Sequence, residues 1–108
     1  MLKSAAQAIP PIRKITLYTH YNDKEDLKKF NDVFFDKDSK SWYVNTDHPK
    51  LDDILDQWSP VKLKVPYSSE NIDLVRKLNG MFDKTNKYWV VSSRYKYQIP
   101  DFEDWLVA

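Results

Sequence analysis

Apolar and polar positions alternate in two short stretches that predict half-buried strands. In "KITLY", Ile15 and Leu17 fall on one face. In "VKLKV", Leu63 and Val65 fall inward while Lys62 and Lys64 point out. Helical spacing follows each stretch: Leu27, Phe30 and Val33 in one case, Ile72, Val75 and Leu78 in the other. Asn22 with Glu25 three residues on predicts a capping box, and Ser68/Ser69 offer hydroxyl N-caps. Gly80 is placed where the second helix would need a left-handed residue.

A ten-residue phrase then occurs twice, "FDKDSKSWYV" at 35–44 and "FDKTNKYWVV" at 82–91. Phe-Asp, turn-forming residues and Lys-x-Trp-x-Val predict a hairpin. Asp36 and Asp83 suit acceptors for backbone N–H groups in the turn, and Ser39 and Asn86 are expected to be its left-handed residues. Trp42 and Val44 share one face, as do Trp89 and Val91. Further on, Asp47 is expected to cap a helix with Pro49 in its first turn and Leu51, Ile54, Leu55 and Trp58 on its apolar face. "SSRYKYQI" alternates like a strand, and Pro100 opens a short acidic helical turn with Phe102, Trp105 and Leu106.

The correspondence extends past the phrase. Ile15 and Leu17 stand 48 residues before Leu63 and Val65, Leu27 and Phe30 stand 48 before Val75 and Leu78, and Trp58 stands 47 before Trp105. Matching apolar positions indicate a duplicated β-α-β-β-(α) unit. The predicted fold is α+β: a first repeat at 14–59 and a second at 60–108, packed into one compact domain around a shared core, with a flexible arm at 1–13.

Composition narrows the function classes. The chain has 108 residues, of which 15% are aromatic and one is Gly, which excludes a Gly-rich phosphate loop. It has no Cys, which excludes disulfides and thiol catalysis and fits a reducing, cytoplasmic setting. No apolar run approaches the roughly 20 residues of a membrane span, and residues 1–13 lack the apolar centre of a signal peptide. Net charge is +1 but uneven: residues 60–97 carry eight Lys/Arg against three Asp/Glu, while residues 98–108 carry three acids and no base.

The second unit, "LKVPYSSENIDLVRKLNGMFDKTNKYWVV", resembles a short domain of unknown function found in bacterial, plasmid and phage proteins. That pattern runs Val-Pro-Tyr/Phe, Lys-Leu-Gly-Ala, aromatic-Asp, Lys-x-Trp-Tyr-Val. Val65-Pro66-Tyr67, Lys77-Leu78, Phe82-Asp83, Lys87 and Trp89 match it, with Asn79-Gly80 in place of Gly-Ala and Phe82 as the aromatic where Trp is usual. The first unit matches at Phe35-Asp36, Lys40 and Trp42-Tyr43-Val44. The same succession is similar to the HARP (HepA-related protein) domain, often present in tandem in annealing helicases. That resemblance implies contact with DNA, often at branched structures.

The residues support a related expectation. Lys62, Lys64, Lys84, Lys87, Arg94 and Lys96, interleaved with Tyr95 and Tyr97, form a candidate nucleic-acid surface for DNA or RNA. Trp42 and Trp89 are expected to be core residues rather than stacking platforms. The competing expectation is a protein-binding modulator or inhibitor, phage-encoded, since acids and bases both form patches. The Lys, Asn, Asp and Tyr content suits an AT-rich phage or viral genome. No cofactor, metal or small-molecule substrate is implied, and a non-enzymatic protein is expected. His48 and Asp52 stand at i, i+4 without a third ligand, and an imidazole at that helix start suits a local role.

Overall fold

A computed structural model describes residues 11–107. Most of the expected arm, residues 1–10, lies outside the described residues, and 11–13 are exposed coil. In the first unit β1 (Lys14–Leu17) leads through a 3₁₀ turn (Tyr21–Asp23) into a single helical turn, α1 (Lys24–Leu27). β2 (Val33–Asp36) and β3 (Ser41–Asn45) form the hairpin, and α2 (Leu51–Trp58) closes the unit. The second unit repeats this with β4 (Pro60–Leu63), α3 (Ser69–Lys77), β5 (Met81–Asp83) and β6 (Tyr88–Ser92). A 3₁₀ helix (Ser93–Gln98) and α4 (Phe102–Trp105) follow.

Each unit is one antiparallel three-stranded sheet with its Trp-bearing strand in the middle, in the orders β1-β3-β2 and β4-β6-β5. Leu17 lies opposite Trp42 and Leu63 opposite Trp89. Leu17 therefore corresponds to Leu63, two positions away from the Val65 that sequence matching selects. A slip of two leaves every side chain on its own face, which is why the alternation alone does not detect it. The terminal helix of each unit returns to the first strand. Tyr18 N–H donates to the Trp58 carbonyl at 2.9 Å, and Lys64 N–H to the Trp105 carbonyl at 2.7 Å.

Local chemistry sets the turns. Asp36 and Asp83 accept from backbone N–H groups inside their hairpins, as expected, through Asp38 at 2.9 Å and through Thr85 and Asn86 at 2.9 and 3.0 Å. The left-handed residues are Lys40 (φ 55°) and Lys87 (φ 62°), not Ser39 and Asn86. The turn stays right-handed while the aspartate collects its N–H groups, so the reversal falls one residue later, where the strand resumes.

The helix starts divide. Ser68 caps α3 by accepting from Asn71 N–H at 3.1 Å. The Asn22–Glu25 box does not form: His20 Nδ1 accepts from Asn22 N–H at 3.1 Å and starts a 3₁₀ turn first. Asp47 gives no cap; His48 Nδ1 accepts from Lys50 N–H at 2.9 Å, and its Nε2 lies 2.6 Å from the Asn31 carbonyl. α2 begins at Leu51, after Pro49.

The helix ends also differ from expectation. Val33 opens β2 rather than lying on a helix face. The left-handed residues are Asp32 (φ 58°) and Asn79 (φ 59°), and Gly80 has no positive φ. Gly80 serves close approach instead. A Cβ there would sit 2.7 Å from the Val75 carbonyl oxygen and 3.1 Å from Val91 Cγ1.

The buried side chains form two clusters rather than one shared core. Leu17, Leu27, Val44, Ile54 and Trp58 fill the first unit; Leu63, Val75, Leu78, Trp89, Val91, Ile99 and Trp105 fill the second. Polar bonds join them where α2 meets the 3₁₀ helix. That helix, not a strand, is formed by "SRYKYQ". Ser93 N–H donates to the Ser59 carbonyl at 2.9 Å, and its hydroxyl donates to the Asp56 carbonyl at 2.8 Å while accepting from Ser59 N–H. These bonds bind the chain to the end of α2, where an extended course would forfeit them.

Candidate nucleic-acid interface

The eight residues expected to form a nucleic-acid surface separate into three places. Lys62 reaches from β4 toward the base of the second hairpin, whose loop carries Lys84 and Lys87. Lys62 points from the outer face with its ammonium 5.6 Å from the Tyr88 ring centre. Lys84 and Lys87 are exposed in the loop that joins β5 to β6, and Lys64 is exposed one residue beyond β4. The nearby acid, Asp83, is bound into its turn by two backbone N–H groups and by Asn86 Nδ2 at 3.0 Å. Those hydrogen bonds, chiefly from Asn86, hold its pKa below the usual carboxylate value, and Lys62 adds to the effect.

Arg94 and Tyr95 are engaged between the units, because the segment is a 3₁₀ helix. Arg94 Nη1 lies 3.1 Å from Asp26 Oδ2, and its guanidinium stacks 4.6 Å from the Trp58 ring centre. The hydrogen bond from Arg94 lowers the Asp26 pKa. Tyr95 donates its hydroxyl to Asp23 at 2.8 Å, and Asn79 Nδ2 donates to the same carboxylate at 2.9 Å. Burial and Asp23 together raise the pKa of Tyr95 and, more strongly, that of Tyr18, whose hydroxyl donates to the Asn79 carbonyl at 2.8 Å. Asp23 is buried, so these donors replace the water it loses.

Lys96 and Tyr97 form the third place. Lys96 Nζ lies 5.1 Å from the Tyr97 ring, which is 87% exposed. They line a shallow depression shared with Asp101, Glu103 and Asp104. An anion approaching there meets three carboxylates, which sets this pair apart from the lysines of the second hairpin.

The structure adds a site that sequence reasoning missed, an open cleft of about 670 Å³ between the units. Trp42 and Phe35 line it from the first sheet, Tyr21, Lys24 and Lys28 from the segment around α1, Lys40 from the first hairpin and Met81 from the second unit. Trp89 is 9% exposed, as a core residue should be, whereas Trp42 is half-buried, packed on its core by one side and open to the cleft by the other. Two signals could have found the site: Lys37 and Lys40 repeat the positions of Lys84 and Lys87, and Lys24 and Lys28 stand at i, i+4.

Comparison with known proteins finds no matching family model, curated protein or solved structure. No helix among the described residues is long and apolar enough to cross a membrane.

Proposed function

We propose that the protein binds nucleic acid, without catalysis, through the lysine end of the second sheet. The observation that carries this is Lys62 reaching Tyr88 and Asp83 at the base of the second hairpin, whose exposed loop carries Lys84 and Lys87, with Lys64 following β4. Exposed ammonium groups suit phosphates, and a tyrosine among them suits a base or sugar. The resemblance to HARP units supports the same class of partner. Arg94 and Tyr95 hold the two units together in this reading and act on binding through that junction alone.

Fluorescence anisotropy with single-stranded, duplex and forked DNA and with RNA, across a salt series, tests the proposal. Four phosphate contacts give a log–log salt slope of about −3 to −4. Lys84→Glu/Lys87→Glu should abolish most of the affinity, and Asp52→Lys/Asp53→Lys on the exposed face of α2 should not reduce it. Absence of binding by every form at low salt refutes the reading.

A protein-binding modulator is the second reading, supported by the exposed apolar side chains Phe34, Met81 and Phe82. It predicts salt-insensitive capture of a protein partner, reduced by Phe34→Ser or Met81→Ser and indifferent to the lysine substitutions.

A further inference from the structure

We infer that the cleft between the units is a second and separate binding site, which takes one nucleotide: an unpaired base together with its phosphate. The walls favour a planar ring. Trp42 offers the side that its core leaves uncovered, with Phe35 set edge-on to it at 5.5 Å between ring centres and an angle of 63°. Tyr21, 74% exposed, supplies another aromatic surface, and Met81 supplies a soft apolar contact from the second unit. The volume of about 670 Å³ falls within the range of small-ligand sites.

The charge of the rim selects the ligand. Lys24, Lys28 and Lys40 line the cleft, and no Asp or Glu does. Lys28 has Glu25 at 3.5 Å on the exposed helix surface. Among the described residues, neither Lys24 nor Lys40 has a carboxylate within ion-pair distance. Lys24 instead lies 4.0 Å from the Tyr21 ring centre, so a cation and an aromatic face are presented together. An aromatic floor with cations at its rim complements a base that carries phosphate better than it complements a lipid chain or a neutral ring.

The same chemistry is present in a free mononucleotide and in an unpaired residue of a strand. Trp42 is the reporter that separates this site from the other tryptophans, since Trp58, Trp89 and Trp105 are buried. The probes are a nucleoside 5′-monophosphate and an eight-residue oligothymidylate, titrated against Lys84→Glu/Lys87→Glu protein so that the sheet-end surface is silenced. Saturable quenching of tryptophan emission is expected from at least one probe. Quenching by the oligonucleotide alone identifies the source as a strand. Trp42→Phe should remove the optical signal while calorimetry still detects binding. Lys24→Glu/Lys40→Glu should weaken binding about tenfold or more, with the circular dichroism spectrum unchanged. The inference fails if neither probe quenches below about 10 mM. It also fails if the Lys24/Lys40 variant binds as tightly as its parent, or if inorganic phosphate competes as well as the nucleotide. Failure here leaves the anisotropy result of the sheet-end surface untouched, because that surface is already disabled in the protein tested.

Discussion

The two units carry the same hairpin around the same tryptophan, yet one tryptophan is enclosed and the other borders a cleft. The difference lies in the element between the first strand and the hairpin. In the second unit α3 runs nine residues, and Ile72, Val75 and Leu78 pack into the Trp89 cluster. In the first unit α1 runs four residues behind a 3₁₀ turn, and Leu27 is its one buried side chain. The shorter helix leaves Trp42 uncovered on one side, and Tyr21, Lys24 and Lys28 surround the opening. A repeated motif thus specifies a place in a fold, while the segment beside it decides whether that place is closed core or binding surface.

The largest expected effect breaks this comparison at its centre. Trp89→Ala removes an enclosed side chain and should cost about 3–5 kcal/mol. Trp42→Ala should cost roughly half as much, because one side of the ring already faces solvent. Urea denaturation of both variants measures the gap. Equal costs would show that Trp42 is as enclosed as Trp89 and would remove the cleft's floor.

The next effect concerns how closely helix and hairpin approach. Gly80→Ala sets a methyl 2.7 Å from a backbone oxygen, so α3 and β5 must separate. A cost of about 1–3 kcal/mol is expected. Val33 begins the equivalent strand in the first unit, paired with Val44, and its side chain is accommodated there. Val33→Ala should cost about 1 kcal/mol. Thermal melts that rank Val33→Ala above Gly80→Ala would contradict the tighter approach in the second unit.

Sequence reasoning recovered what period and turn chemistry determine. The alternation at Ile15/Leu17 and at Leu63, the hairpins with their aspartates, the Ser68 cap and the apolar face of α2 all follow from local pattern. The α+β class follows with them. It missed what tertiary bonds decide. "SRYKY" alternates as a strand would, but Ser93 is held by Ser59 and Asp56 of the other unit, and the segment coils. Asn79 rather than Gly80 takes the left-handed turn because Gly80 is needed for contact with Val75. The cleft was hidden for a related reason: its lining comes from several separate segments, and no window of sequence contains it.

The smallest expected effect contrasts the hairpin turns themselves. Asp83 accepts from two backbone N–H groups and from the Asn86 side chain, whereas Asp36 accepts from Asp38 N–H. Hydrogen bonding lowers the pKa of both carboxyls from the usual value, led by Asn86 at Asp83 and by Asp38 N–H at Asp36. A lowered folded-state pKa means the stabilisation is present above the unfolded-state value and is lost as pH falls through the folded one. Both aspartates are exposed enough that solvent screens most of the effect. Carboxyl-carbon NMR titration should therefore place both midpoints below the usual aspartate value. Asp83→Asn should loosen its hairpin, seen as faster amide exchange at Thr85 and Asn86, while Asp36→Asn should alter exchange chiefly at Asp38 and less at Ser39. If Asp83→Asn left Thr85 and Asn86 protected, the turn would be held by the left-handed Lys87 and its 2.8 Å backbone bond to Asp83, and the aspartate in the repeated phrase would no longer explain the turn.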